Sequence, residues 1–135
     1  MSSFQLMETT IDQVHTAMLA GEITCRELVE GYLARIEAYE KKGPAINAII
    51  LVNPKALEEA DRLDAALKET GRLTGPLHGI PVMLKDNVDT FDMATTAGSS
   101  SLEGFVPDDD AFITGRLRKA GALILAKTNL HEFAI

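Results

Sequence analysis

The chain has 135 residues, 46% of them hydrophobic and 24% charged, with a net charge of −7. This is a globular mix that suits one domain and argues against disorder. The acidic balance argues against sequence-independent binding to nucleic acid, which needs a basic face to neutralise phosphates, and against a polybasic membrane anchor.

The opening MSSFQLMETT has neither a basic segment nor a long apolar core, so no signal peptide is expected. No apolar run approaches the length of a membrane span. The single cysteine, Cys25, allows no intramolecular disulfide and suits a reducing compartment. A cytoplasmic location is therefore the expectation.

Thr10 with Gln13 forms a capping box that opens a helix through Ala20, stopped at Gly21. Ile11, Val14 and Met18 share one face of it. Thr24 with Glu27 repeats the box. The second helix carries Leu28, Tyr32, Leu33, Ile36 and Tyr39 on one side and stops at Gly43-Pro44. Cys25 sits early in that helix with only Arg26 as a basic neighbour, so it is expected to pack rather than react. His15 has no ligand partner one turn on and reads as a surface or boundary residue.

Ile46–Val52 is an almost wholly apolar, β-branched run and predicts a buried strand. Asn53 is expected to cap a third helix with Pro54 at its first position. Leu57, Ala60, Leu63 and Leu67 form its inner stripe, and the charges around them predict a solvated face. Gly71 closes it. The turn-rich Gly75–Gly79 leads into a strand, Ile80–Lys85.

From Asn87 to Asp110 there is no clear period, and a loop of this length inside a domain is usually functional or covered. Asp109 or Asp110 is expected to start a fourth helix at its positive end, with Phe112, Ile113, Leu117 and Ala120 facing inward. Ala122–Lys127 predicts another apolar strand, and Leu130–Ile135 the start of a further helix. Strands alternating with helices after a helical hairpin predict an α/β fold. Its sheet should be mixed or largely parallel, covered by helices, and too narrow to do without cover at both edges.

In such sheets chemistry gathers at the carboxyl ends of strands. Lys85 ends one strand and Lys127 another. A half-sheltered lysine loses pKa through desolvation and can serve as a neutral base. The alternative is that Lys85 pairs with Asp86 or another carboxylate and merely ends the strand. With Ser99, Ser100 and Ser101 nearby in sequence, a serine–lysine hydrolase is conceivable on residue types, but spacing does not decide which lysine or serine. Those serines lack the strand–turn–helix setting of a nucleophile elbow and read better as loop residues.

The histidines His15, His78 and His131 have no metal-ligand spacing, and Asp108, Asp109 and Asp110 lack an alternating calcium-type pattern. No dinucleotide or P-loop pattern occurs. No cofactor or metal is implied.

Four blocks then carry a specific resemblance. They are Gly75–Asn87 (GPLHGIPVMLKDN), Thr95–Ser99 (TTAGS), Arg116–Ala122 (RLRKAGA), and Lys127–Asn129 with Glu132–Ala134 (KTN and EFA). Together, and in this order, they resemble the amidase signature family, which includes bacterial amidases and the A subunit of glutamyl-tRNA(Gln) amidotransferase. The helical ELVEGYLARIEAY segment is similar too.

The resemblance runs from about Thr10 to Ile135. It implies a single amidase domain of which residues 1–135 are the N-terminal portion, 1–43 helical and 44–135 the start of the α/β core. It implies hydrolysis of a carboxamide through a Ser–cis-Ser–Lys triad and gives the lysine's place to Lys85. Both triad serines of the family lie in a Gly/Ser-rich segment after the Lys-Thr-Asn block, and Ser99–Ser101 match neither. The 135 residues alone are therefore expected to be inactive. His131 stands where an aspartate is common.

A small-molecule amide is the implied substrate, with no direct nucleic-acid or membrane partner and either a homodimer or a partner subunit possible. The A subunit of a tRNA-dependent amidotransferase is the alternative enzyme. A non-catalytic interaction module built on the apolar stripes of the first two helices is the alternative outside catalysis.

Overall fold

The capping-box threonines act as their spacing requires in the computed structural model, which describes residues 4–135. Thr10 Oγ1 accepts the Gln13 amide at 3.2 Å while Gln13 Oε1 accepts the Thr10 amide at 2.8 Å, opening α1 (Ile11–Leu19). Thr24 and Glu27 exchange the same pair at 3.0 and 2.8 Å to open α2 (Cys25–Tyr39). α1 buries Val14, Ala17 and Met18, and α2 buries Cys25, Leu28 and Val29. Ile11 and Tyr39, expected inward, are exposed at the helix ends.

The remaining elements are β1 (Ile49–Val52), α3 (Ala56–Thr70), β2 (Pro81–Lys85), α4 (Phe112–Lys119) and β3 (Leu123–Thr128), with single 3-10 turns at Ser100–Leu102 and Glu132–Ala134. The strands form one mixed sheet in the order β1-β3-β2, with β1 antiparallel and β2 parallel to the central β3. The predicted α/β class and mixed sheet hold.

α1, α2 and α3 pack with Leu123 and Leu125 on one face of the sheet. Leu84, Met93 and Ile124 form a second core on the other face, joined by Leu51, Val82, Val88 and Leu117. Gly79 makes the approach to β2 possible. It has φ +69°, and a Cβ there would fall 3.1 Å from both Cys25 Sγ and Met18 Cε.

Several expectations are corrected. β1 begins at Ile49, not Ile46, because the amides before it turn back to the end of α2. Ile46 and Asn47 donate to the carbonyls of Tyr39 and Glu40, and the Glu40 carboxylate takes the amides of Ala48 and Ile49. α3 begins at Ala56. Asn53 builds the turn before it, accepting the Lys55 amide at 2.9 Å and donating through Nδ2 to the Ile124 carbonyl at 2.8 Å.

The charged face of α3 is not wholly solvated. Asp64 accepts the amides of Cys25 at 2.7 Å and Arg26 at 3.0 Å, satisfying donors that α2 leaves open at its start.

α4 is capped by Ala111, not by Asp109 or Asp110, and its register is turned from the predicted one. The Asp89 carbonyl accepts the Ala111 amide and the Thr114 hydroxyl, so Thr114 is buried while Phe112 and Ile113 are 81% and 56% exposed. The last residues form only a 3-10 turn, with Phe133 at φ +50°.

Candidate active site

β2 and β3 run parallel, so their carboxyl ends open together. Lys85 pairs with Thr128, and Leu84 with Lys127. A bulge advances the β3 partner from Ile124, opposite Val82, to Ala126, opposite Met83. Side chains alternate along β2, so Ile124 and Lys127 share the face of Val82 and Leu84 despite being three residues apart. Lys85 leaves the opposite face. The two strand-end lysines, inseparable by residue type, thus enter different surroundings.

Lys127 is fully buried. Its ammonium donates to the Val88 carbonyl at 2.9 Å, the Ala94 carbonyl at 3.1 Å and Thr95 Oγ1 at 2.9 Å. All three donors are therefore used. Asp86 Oδ1 lies 3.5 Å from the same nitrogen, an ion pair too long for a good hydrogen bond, with both side chains inaccessible. Burial pushes the lysine pKa down from its ordinary value. Asp86 first, then Asp89 and Asp92, pull it back.

Asp86 is fixed through its backbone and through its carboxylate. Its amide donates to the Thr128 carbonyl at 3.0 Å, and its carbonyl accepts the Ala97 amide at 2.8 Å. Its Oδ2 accepts the Thr96 amide at 3.1 Å and the Thr96 hydroxyl. The Lys85 carbonyl accepts the Val88 amide at 2.9 Å. The chain on the carboxyl side of Lys85 is therefore held by a knot of the buried Asp86, Lys127 and Thr95 with the partly exposed Thr96. The Lys85 side chain itself is exposed and meets no hydrogen-bond or ion-pair partner among the described residues. The sheltering anticipated for Lys85 belongs here to Lys127, and the pairing of Asp86 with Lys85 does not occur.

Other candidates fall into structural roles. The Ser99 hydroxyl donates to Glu132 Oε1 at 2.6 Å, and its oxygen caps the 3-10 turn that holds Ser100 and Ser101. His78 is buried, its Nδ1 taking the Thr74 amide at 3.2 Å and meeting the Thr74 hydroxyl at 2.9 Å, while His15 Nε2 meets the His78 carbonyl at 2.9 Å. Asp110 binds the Phe91 amide and the Arg118 guanidinium, which also pairs with Asp92 at 2.8 Å. Among the described residues no group of three His, Cys, Asp or Glu gathers as a metal site. Cys25 is buried and its thiol pKa is pushed up to about 12 by burial, then by Asp64 and Asp61. It packs, as expected.

The knot around Asp86 was missed from sequence. The available signal was a lone lysine closing the apolar run ALILAK, since a charge brought into a core strand must find partners.

The family profile described as Amidase matches residues 27–135. The chain belongs to the amidase family. A probable amidase of Arabidopsis thaliana is 43% identical over 98% of this chain and 26% of its own length. A glutamyl-tRNA(Gln) amidotransferase A subunit from Synechococcus sp. (strain WH7803) is 47% identical over 85% of the chain and 23% of its own. Among solved structures, the native peptide amidase of Stenotrophomonas maltophilia superposes with a TM-score of 0.89 at 49% identity, covering 94% of this chain and 26% of that one. The chain thus spans about a quarter of the length of the relatives it matches. No helix among the described residues is long and apolar enough to cross a membrane.

Proposed function

We propose that these residues open a single amidase domain whose whole protein hydrolyses a carboxamide, with Lys85 as the base of a Ser–cis-Ser–Lys triad. The supporting observation is the contrast between the two strand-end lysines. Lys127 spends all three donors within the fold, whereas Lys85, at the carboxyl end of a parallel strand, has no hydrogen-bond or ion-pair partner among the described residues.

In this reading the neutral Lys85 amine accepts a proton relayed through the cis-peptide serine from the nucleophilic serine. The serine oxygen attacks the amide carbon, the C–N bond breaks, and ammonia or an amine leaves with the returned proton. Water then cleaves the acyl-enzyme to the carboxylate. Backbone amides beside the nucleophile hold the oxyanion. Cover over Lys85 and both serines come from segments outside these 135 residues, so the chain alone is expected to turn over no amide.

In the complete protein, Lys85→Ala is expected to lower kcat by about 10²–10⁴-fold, the range of a general base. Turnover within a few-fold of wild type would remove Lys85 from this role. The amidotransferase relatives favour a second reading, a glutaminase that passes ammonia to a partner protein. Glutamine as the only good substrate, together with co-purification of that partner, would select it over a stand-alone amidase.

A further inference from the structure

Asp86 and Lys127 form a buried pair that the proposed mechanism does not use. Burying two charges is costly, and such a pair contributes little net stability compared with well-packed apolar side chains. What it supplies here is geometry. The ammonium ties three points of the loop after β2, at Val88, Ala94 and Thr95, to the central strand. Asp86 ties the residue next to Lys85 to β3 through Thr128 and to the returning loop through Thr96 and Ala97.

We propose that the Asp86–Lys127 pair, with Thr95 and Thr96, is a positioning device for Lys85. It fixes the strand end from which the lysine side chain leaves, so that the amine is held where a proton must be taken. Lys127 itself touches no reacting atom. It lies on the opposite face of the strand pair, and its three N–H bonds leave no lone pair for base chemistry. This inference rests on the reading of Lys85 as the base. Misplacing a reacting group by about 1 Å can cost about 10²-fold in rate, which sets the scale of the effect.

The test uses the complete protein and steady-state hydrolysis of its best amide substrate. Asp86→Asn/Lys127→Met removes both charges together, so neither is left buried alone. Thr95→Val removes one acceptor from the ammonium and is the milder variant if the first does not fold, as judged by circular dichroism. The pair variant is expected to lower kcat about 10²-fold, and Thr95→Val several-fold, with KM within about threefold, because an interaction made only in the transition state is lost. Adding Lys85→Ala to either variant is expected to cost no more than Lys85→Ala alone, since the device acts through that lysine.

Folded variants with wild-type kcat, a change confined to KM, or losses that multiply with Lys85→Ala would each overturn the proposal. Failure of the underlying reading is separable. If Lys85→Ala alone keeps turnover, Lys85 is not the base. If Lys85→Ala lowers kcat as expected and the folded pair variant keeps wild-type kcat, only the positioning role is wrong.

Discussion

His78 shows how a single buried side chain can carry a pH dependence of stability. Its Nδ1 accepts the Thr74 amide and lies 2.9 Å from the Thr74 hydroxyl, an arrangement that suits a neutral ring with its proton on Nε2, which has no partner among the described residues. Burial lowers its pKa below the ordinary 6.5. His15 and Arg62 lower it further, and only Asp64 opposes them. The unfolded chain therefore takes up the proton more readily than the folded one. This contribution to stability is complete above pH 6.5 and is lost as the pH falls through that value toward the folded pKa. Urea unfolding followed from about pH 8 to about pH 5 is expected to show this decline, and His78→Gln to flatten it. Equal slopes for the two proteins would assign the decline to other groups.

At the scale of elements, α2 depends on a neighbour as well as on its own cap. Thr24 and Glu27 satisfy donors at the helix start, but the Cys25 and Arg26 amides are met by Asp64 from α3. Asp64 therefore anchors α3 to the first turn of α2, beside the contact of Cys25 with Gly79 at the approach to β2. Asp64→Ala leaves two partly buried amides without their acceptor and is expected to destabilise the fold by about 1–3 kcal/mol, the cost of unmet buried donors. Chemical denaturation measures this directly. A loss no larger than a few tenths of a kcal/mol, like that of an ordinary surface residue, would mean that water replaces the carboxylate at no cost.

For the whole molecule, a three-stranded sheet leaves two edges, and β2, which carries Lys85, is one of them. Phe91, Phe105, Phe112 and Phe133 are all exposed, as are Ile46, Ile50 and Met83 around β1 and β2. Unpaired strand edges beside apolar side chains favour association. The 135-residue chain on its own is expected to show concentration-dependent sedimentation, where the complete protein gives a defined species. A monodisperse monomer that unfolds cooperatively would favour a self-sufficient module, the non-catalytic alternative.

The sequence by itself determined the helical hairpin, the alternation of strands and helices, and the family. Capping boxes, apolar periods and turn glycines act over three or four neighbouring residues, and the motif blocks are contiguous. Local signals also placed Lys85 at a strand end. Only the tertiary structure decided which strand is central, where the bulge in β3 turns Lys127 away from Lys85, and that Asp86 joins Lys127 rather than its neighbour. It likewise turned α4 about Asp89, exposing Phe112 and Ile113 against their hydrophobicity, and shortened β1 through Glu40. Each of these depends on hydrogen bonds or an ion pair between residues beyond the three- or four-residue reach of local patterns. A buried charge or an unmet amide takes whichever partner the fold brings within reach.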